Sequence, residues 1–168
     1  MANDLYIGCP NGIVLCVDEI NQMGCSGRFY HSYQEEAVSF GSLGEMLFRM
    51  EEFFDSLNFP RRGNTDRTFT DTHAANAGRH EERERIMADK DVLGHKGKQE
   101  TFIVRVQHRQ NNTWQGRITW ADKDKTLTFR SIWEMVHLMK MLCMRTHLRM
   151  KSRTFSHGTG NLSNQSFY

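Results

Sequence analysis

The chain has 168 residues, with 22 basic and 20 acidic side chains and a formal net charge of +2. This length is enough for one ordinary domain, or for two small domains that share a core, without stabilisation by disulfides or structural metal ions. The four cysteines form no C-x-x-C pair, and the histidines show no metal-ligand spacing. The composition therefore predicts no disulfide scaffold, no metal site and no cofactor.

The first residues, MANDLYIGCP, lack the basic start and the apolar run of a signal peptide. No apolar stretch approaches the roughly 18 residues that a membrane span requires. We therefore expect a cytoplasmic protein that makes no membrane contact.

The first predicted unit, residues 1–59, contains three strands and a helix. Residues 13–17 (IVLCV) begin the first of three alternating apolar runs, and residues 38–40 (VSF) form the third. Alternation with period two predicts half-buried strands, and short charged turns between them predict an antiparallel meander. SLGE, residues 42–45, fits the capping box, in which the glutamate reaches back to the serine's own amide. Apolar residues at helical spacing follow this box, so it predicts a helix start.

Residues 60–98 are predicted to link this unit to a second one. Their first part is a polar loop, and RHEERERIMADKDVL, residues 79–93, is a charged candidate helix with few apolar positions. Such a composition indicates a largely solvated helix. Residues 99–150 repeat the three alternating runs and a capped helix over 131–145, and residues 151–168 form a polar C-terminal tail.

The second unit matches the first at a single offset of 89 residues without a gap, over 13–54 and 102–143. The offset superimposes eight identical residues, including Gly27 on Gly116 and Arg28 on Arg117. A fixed offset of this kind predicts an internal duplication of a β-β-β-α unit. One unit alone buries little surface, so we expect the two to share a core, or to join edges into one six-stranded sheet with both helices on one face. The predicted fold class is α+β.

Charge is distributed unevenly along the chain. Residues 1–59 carry two basic and nine acidic side chains, residues 60–95 carry seven of each, and residues 96–168 carry thirteen basic and four acidic ones. The first unit is therefore acidic and the second is basic. Such asymmetry indicates an oppositely charged partner or head-to-tail self-association, and it leaves monomer and homodimer open.

A basic face is predicted on the second unit, opposite its helix. Alternation places Arg105, Arg109, Arg117 and Arg130 on that face. Arginines on a flat sheet bind phosphates or acidic protein patches, although exposed antiparallel sheets also carry ordinary solvated side chains. Arg28 and Arg117 recur in both units, which favours a structural role for them.

Two sets of candidate partner-binding residues follow from these patterns. The basic set is Arg105, Arg109, Arg117, Arg130, Arg145, Arg149, Lys151 and Arg153, and the alternative acidic set is Glu35, Glu36, Glu51, Glu52 and Asp55. On the first unit the opposite sheet face is more apolar, so we expect either the linker or a partner to cover it.

Catalysis requires a nucleophile with a base, a phosphate-binding loop or opposed carboxylates, and the sequence offers none of these patterns. His31, Glu35 and Glu36 are the best remaining candidates, because they lie close together at a predicted turn. The sequence therefore predicts a protein that is not an enzyme.

Two resemblances suggest functions. The order α-β-β-β-α over residues 79–145 resembles a double-stranded-RNA-binding domain, which implies contact with nucleic acid, and the basic end RTHLRMKSR suits a phosphate backbone. The stretches TFIVRVQHRQNNTWQGRITW and SGRFYHSYQEEAVSF resemble small bacterial proteins of mobile elements and counter-defence genes. That second resemblance implies an anti-CRISPR protein that binds an RNA-guided effector nuclease, or another large protein. The alternative is a nucleic-acid-binding accessory protein of a mobile element, with DNA or RNA as partner.

Overall fold

The computed structural model describes residues 7–21, 24–63 and 83–156, and six strands in these ranges form one antiparallel sheet in the order β3-β2-β1-β4-β5-β6. The strands are β1 Ile13–Asn21, β2 Gly24–Tyr30, β3 Val38–Phe40, β4 Glu100–His108, β5 Gln115–Trp120 and β6 Lys125–Phe129. The helices are α1 Leu43–Leu57, α2 Asp89–Leu93 and α3 Ile132–Ser156. The predicted α+β class is confirmed, and of the two arrangements that the sequence left open the chain adopts the single six-stranded sheet.

The two meanders join where β1 pairs with β4. Leu15 lies opposite Phe102 and Ile13 lies opposite Val104 in this antiparallel pair, so apolar residues of both units meet on the same side of the sheet. Neither meander has a free inner edge, because each inner strand is the hydrogen-bonding partner of the other. The junction therefore combines the units into one core.

The geometry of the two units corresponds at the 89-residue offset. Irregular register occurs between Val17 and Glu19 in β1, and again between Val106 and His108 in β4. Gly27 pairs with Phe40, and its counterpart Gly116 pairs with Phe129. A Cβ atom at Gly27 would lie 2.1 Å from the Cys16 carbonyl oxygen, and one at Gly116 would lie 2.0 Å from that of Arg105. Close backbone approach thus explains why both positions are glycine. Duplication as the origin of the correspondence stays a prediction.

Both long helices begin at the predicted serines. The Glu45 amide donates to the Ser42 hydroxyl at 3.2 Å, and the Glu134 amide donates to the Ser131 hydroxyl at 3.1 Å. The two glutamate carboxylates accept from the amides of the residues just before the serines, at 2.9 and 2.7 Å, rather than from the serines' own amides. Each box therefore satisfies one amide of the first helical turn and the amide of the residue before the capping serine.

The main core lies between the sheet and the layer formed by α1 and α3. Its largest fully buried side chains come from both units, as expected for a shared interior: Ile13, Leu15, Phe29, Met46, Met50, Phe54, Phe102, Phe129, Met135 and Met139. Both helices pack on one face of the sheet, as the spacing of their apolar residues predicts.

The segment before β4 covers the middle of the opposite face. Val92 of α2 is fully buried there in a second apolar cluster, with Val14, Cys16 and Ile103 of the two central strands and with Ile7. The amides of residues 86 and 87 donate to the Ser32 carbonyl oxygen at 2.8 and 3.0 Å. Of the two alternatives expected for this face, the linker thus covers its middle part.

The predicted linker helix is shorter than its composition indicated. Residues 79–82 lie outside the described part of the chain, residues 83–88 are not helical, and α2 has only five residues. Its buried Val92 also differs from the largely solvated helix that was predicted. The reason is tertiary, because the amides of residues 86 and 87 bond to the loop after β2 and not within a helix.

The last helix is longer than predicted. Its backbone continues from Ile132 to Ser156, whereas the spacing predicted an end near residue 145 and a tail from residue 151. No glycine or proline interrupts this stretch, so helix propagation has no local stop signal. The remainder of the predicted tail, residues 157–168, lies outside the described residues.

Candidate interaction site

Three residues of the predicted basic set point into solvent. Arg117 on β5 and Arg145 on α3 are exposed. The Arg130 side chain is 87% exposed, and its Nε atom lies 3.7 Å from a carboxylate oxygen of Glu134. The side chains of Arg149, Lys151 and Arg153 lie outside the described part of the chain. The basic surface of the second unit is thus available at the sheet's outer strands and along α3.

Arg105 on β4 and Arg117 on β5 occupy directly opposed positions in the pairing of these two strands. Like charges at opposed positions repel each other, so this pair favours a nearby anion or an internal acceptor. Arg105 has such an acceptor, because its Nη2 atom donates to the Thr119 hydroxyl at 2.7 Å. Arg105 is therefore half-buried and held by the fold, whereas Arg117 is exposed.

Arg109 does not belong to the basic face, which corrects the prediction from alternation. Its side chain is only 4% exposed, and it donates to the Pro60 carbonyl oxygen at 2.7 Å and to Asp55 at 2.6 Å. The register shift between Val106 and His108 interrupts the alternation along β4, so the next arginine turns toward α1. Arg109 is thus part of the interior.

Arg109 belongs to a group that we call the ionic cluster: Glu51, Asp55, Arg62, Arg109 and Trp114. Arg62 lies 2.8 Å from Glu51 and 2.7 Å from Asp55, and Arg109 lies 3.2 Å from Glu51. The Trp114 indole N–H donates to Glu51 at 2.6 Å. The acidic helix of the first unit is therefore bonded to the basic strand end of the second. Part of the charge asymmetry is satisfied inside the molecule.

The alternative acidic set is divided between separate places. Glu51 and Asp55 lie in the ionic cluster, and Glu52 is 3.5 Å from Arg49 on the exposed side of α1. Glu35 and Glu36 are exposed in the turn between β2 and β3. Two of the five carboxylates are thus partnered by arginines from outside α1.

Arg28, the first-unit counterpart of Arg117, has the structural role that its recurrence predicted. It forms an ion pair with Asp18 of β1, and its Nε atom donates to the Tyr30 hydroxyl at 3.0 Å. Its Nη2 atom reaches the Lys96 carbonyl oxygen at 3.4 Å, which attaches the covering segment to the sheet.

Two grooves flank the helix layer. The first, of about 320 Å³, is lined by Leu47, Phe48, Glu51, Trp114 and Ile132 among others, and we call it the aromatic groove. The second, of about 260 Å³, is lined by Leu43, Cys25, Met139, Cys143 and Leu148 among others, and we call it the thiol groove. A volume near 300 Å³ lies at the lower end of the range of ligand-binding clefts.

Large apolar side chains are exposed on the outer side of the helix layer. Five of the eight such residues in the described part of the chain lie there, and we call them the docking surface: Phe48 of α1 and Trp133, Met141, Met144 and Leu148 of α3. Phe48 is 75% exposed and Trp133 is 78% exposed. Within the described part of the chain each of the five residues is more than half exposed, although Phe48, Met144 and Leu148 also border the two grooves.

Sequence reasoning did not identify this surface. Helical spacing accounts for the apolar residues that face the core, and it treats Phe48 and Trp133 as isolated residues on the polar side. The available signal was the position of Trp133 in the first turn of α3, two residues after the capping serine and one residue before Glu134.

The three residues considered for catalysis do not form a site. His31 is buried, its ring stacks on Phe53 at 4.0 Å, and its Nδ1 atom accepts from the Tyr33 amide at 3.2 Å. Glu35 and Glu36 are exposed in the following turn. Burial, and then the charge of Arg83, lower the pKa of His31 to about 4. His31 is therefore a neutral aromatic part of the core near pH 7.

His31 predicts a loss of stability in mild acid. Its folded pKa lies below the ordinary value of 6.5, so between pH 6.5 and 4 the unfolded chain binds a proton that the folded chain does not. We expect the free energy of unfolding to fall by about 2 kcal/mol between pH 7 and pH 5 from this residue. His31→Phe should remove that loss in urea titrations at each pH. The control His137→Gln, on an exposed residue of α3, should retain it; the same loss in both variants would contradict the assignment.

The described residues contain no group of three or more histidine, cysteine, aspartate or glutamate side chains arranged to hold a metal ion. None of the helices in this part of the chain combines the length and the apolar character needed to span a bilayer. Comparisons with protein-family models, curated proteins and solved structures find no match. The resemblances to anti-CRISPR proteins and to double-stranded-RNA-binding domains stay predictions.

Proposed function

We propose that this protein is a non-enzymatic binding protein that attaches to a protein partner through its docking surface. Within that class, we propose an anti-CRISPR type of inhibitor that binds an RNA-guided nuclease or the complex of that nuclease with nucleic acid. The sequence resemblance to counter-defence proteins motivates the choice of partner, and the docking surface motivates the mode of binding.

The observation that carries the proposal is the exposure of Trp133 and Phe48. Burial of an aromatic side chain contributes about 1.5 to 3 kcal/mol, and an exposed one forgoes this contribution until a partner covers it. Tryptophan, methionine and arginine are the residues enriched at protein interfaces, and tryptophan and arginine dominate their hot spots. The docking surface contains a tryptophan and two methionines, and the exposed Arg130 and Arg145 lie beside and on α3.

The exposed arginines beside the docking surface are suited to contact anionic groups of a partner at the edge of the interface. Arg130 lies just before α3 and Arg145 lies on it, and both are exposed, whereas Arg117 lies on the opposite face of the sheet; in an RNA-guided nuclease the bound nucleic acid supplies phosphates beside the protein surface. Charges at the edge of an interface act mainly on the association rate and on its salt dependence. We therefore assign the affinity to the aromatic residues and the rate of encounter to the arginines.

The proposal predicts stable co-elution with an RNA-guided nuclease and loss of target cleavage. Phe48→Ala combined with Trp133→Ala should weaken binding at least tenfold, about 1.4 kcal/mol, because the residues that would be buried are removed. Folding should change little, since both side chains are exposed. The matched control is Ile86→Ala, which removes a large side chain that is 58% exposed but lies outside the helix layer. Affinity measured by calorimetry, together with melting temperature, checks the prediction.

Arginine variants distinguish this proposal from direct nucleic-acid binding. Arg130→Gln and Arg145→Gln should slow association at low salt and leave stability unchanged, whereas Arg105→Gln, on the opposite sheet face, should lower stability because Arg105 bonds to Thr119. A nucleic-acid accessory protein would instead bind bare duplex with a logarithmic salt slope of about 0.9 for each neutralised phosphate. Unchanged nuclease affinity in the double alanine variant, with such a slope on bare duplex, would overturn the inhibitor proposal.

A further inference from the structure

Two cysteines far apart in sequence meet at the thiol groove. Cys25 on β2 and Cys143 on α3 are 5% and 4% exposed, and both line the groove of about 260 Å³. Their side chains share a hydrogen bond. All four cysteines of the described chain are free thiols. The pair therefore combines burial, mutual contact and an open path for a small molecule.

The equivalent position in the aromatic groove is occupied by rings. At the 89-residue offset Cys25 corresponds to Trp114, and Cys143 corresponds to Phe54. Trp114 and Phe54 pack edge to face with ring centroids 5.2 Å apart, and they close that part of the core. In the thiol groove the smaller side chains of Cys25 and Cys143 occupy the corresponding positions. The two thiols fill less of this space than the aromatic pair does, and the thiol groove lies beside them.

The two thiols differ in the direction of their pKa shifts. The hydrogen bond from Cys143 lowers the pKa of Cys25, and the same bond, followed by burial, raises the pKa of Cys143. Ionisation of the pair is therefore easier at Cys25 than at Cys143. Burial raises the pKa of Cys16 to about 11 and also raises that of Cys9. Because the thiolate is the reactive form, Cys25 is the nucleophile among the four.

We propose that Cys25 and Cys143 form a reversible disulfide when a small hydroperoxide enters the thiol groove. The Cys25 thiolate attacks one peroxide oxygen, the O–O bond breaks, and a sulfenic acid forms while hydroxide or alkoxide leaves and takes up a proton. The Cys143 sulfur then attacks the sulfenic sulfur, an S–S bond forms, and water leaves. The two thiols together lose two electrons, and the peroxide gains them.

The disulfide would connect the two units covalently. It would attach β2 of the first unit to α3 of the second, and it would close a loop of more than one hundred residues. Cross-linking across so long a loop restricts the unfolded chain strongly, so oxidation is expected to raise the melting temperature. Met144 and Leu148 of the docking surface line the same groove, so the bond would also restrain that part of α3. The inference does not depend on the identity of the partner.

The test uses the full chain, fully reduced and then exposed to a few equivalents of hydrogen peroxide. After the remaining thiols are alkylated, digestion and mass spectrometry should find a peptide that joins Cys25 to Cys143, and a thiol reductant should remove it. On the reduced native protein, iodoacetamide should modify Cys25 at least tenfold faster than Cys16. The melting temperature should rise on oxidation and fall again on reduction.

Variants separate the pair from the other thiols. Cys16→Ser should keep the cross-link, and Cys143→Ser should lose it and leave a sulfenic acid on Cys25 that a dimedone probe labels. Because the peptide map is made on the wild-type chain, a variant that fails to fold leaves the test intact. Both thiols still alkylatable after oxidation, or cross-links only through Cys9 or Cys16, would overturn the proposal.

Discussion

Removing the two carboxylates of the ionic cluster should destabilise the protein by about 3 to 4 kcal/mol. In Glu51→Gln combined with Asp55→Asn, the Arg109 guanidinium stays buried and loses both carboxylate charges, and only neutral oxygens remain among its described acceptors. An uncompensated buried charge is one of the few causes of so large an effect. Glu51 and Asp55 are themselves partly exposed, which places the expectation at the lower end of the range for buried ion pairs. Urea titration measures the change.

A third substitution tests the cause. Arg109→Met removes the buried charge and keeps most of the side-chain volume, so adding it to the double variant should recover about 2 kcal/mol. The control Glu52→Gln, on the exposed side of α1, should stay within about 0.5 kcal/mol of the wild type. A double variant no less stable than this control would show that Arg109 does not need its carboxylates.

Alanine at either repeated glycine should cost about 3 kcal/mol or more. In Gly27→Ala and in Gly116→Ala the added methyl group would meet a backbone carbonyl oxygen at about 2 Å, and backbone can move aside only by distorting the sheet. The two variants should lose similar amounts in urea titrations, because the two glycines have the same strand pairing. Gly44→Ala is the matched control: its nearest neighbour would lie 3.9 Å away, and alanine favours the helix. Tolerance at one repeated glycine and not at the other would contradict the equivalence of the units.

Regular patterns made much of the fold predictable from the sequence. Alternation identified all six strands, and S-x-x-E placed the starts of α1 and α3, because local sterics and amide pairing dictate these features. A burial argument predicted that the two units share a core or a sheet, since one unit is too small to bury a core, and it left the choice between these arrangements open. Each of these inferences uses residues that are close together in the sequence.

The candidate sites were less predictable, because they depend on contacts between distant residues. An irregularity near His108 reversed the direction of Arg109, and alternation alone contains no signal for such a bulge. The charged segment before β4 formed only five helical residues because it covers the sheet's second face. Cys25 and Cys143 meet only through the pairing of the two units, so their spacing in the sequence says nothing of their contact.

The pairing of β1 with β4 also has a consequence for the order of folding. Each meander closes short loops, whereas the contact of Ile13 with Val104 joins positions separated by about 90 residues. The entropy of bringing such distant segments together must be lost before their contacts form, so nonlocal pairings slow folding. We therefore expect the two meanders to acquire structure early and the seam between β1 and β4 to form late. Until the seam closes, each half would expose an inner strand edge, and this transient species would be the one most prone to aggregation or to exchange of halves between molecules.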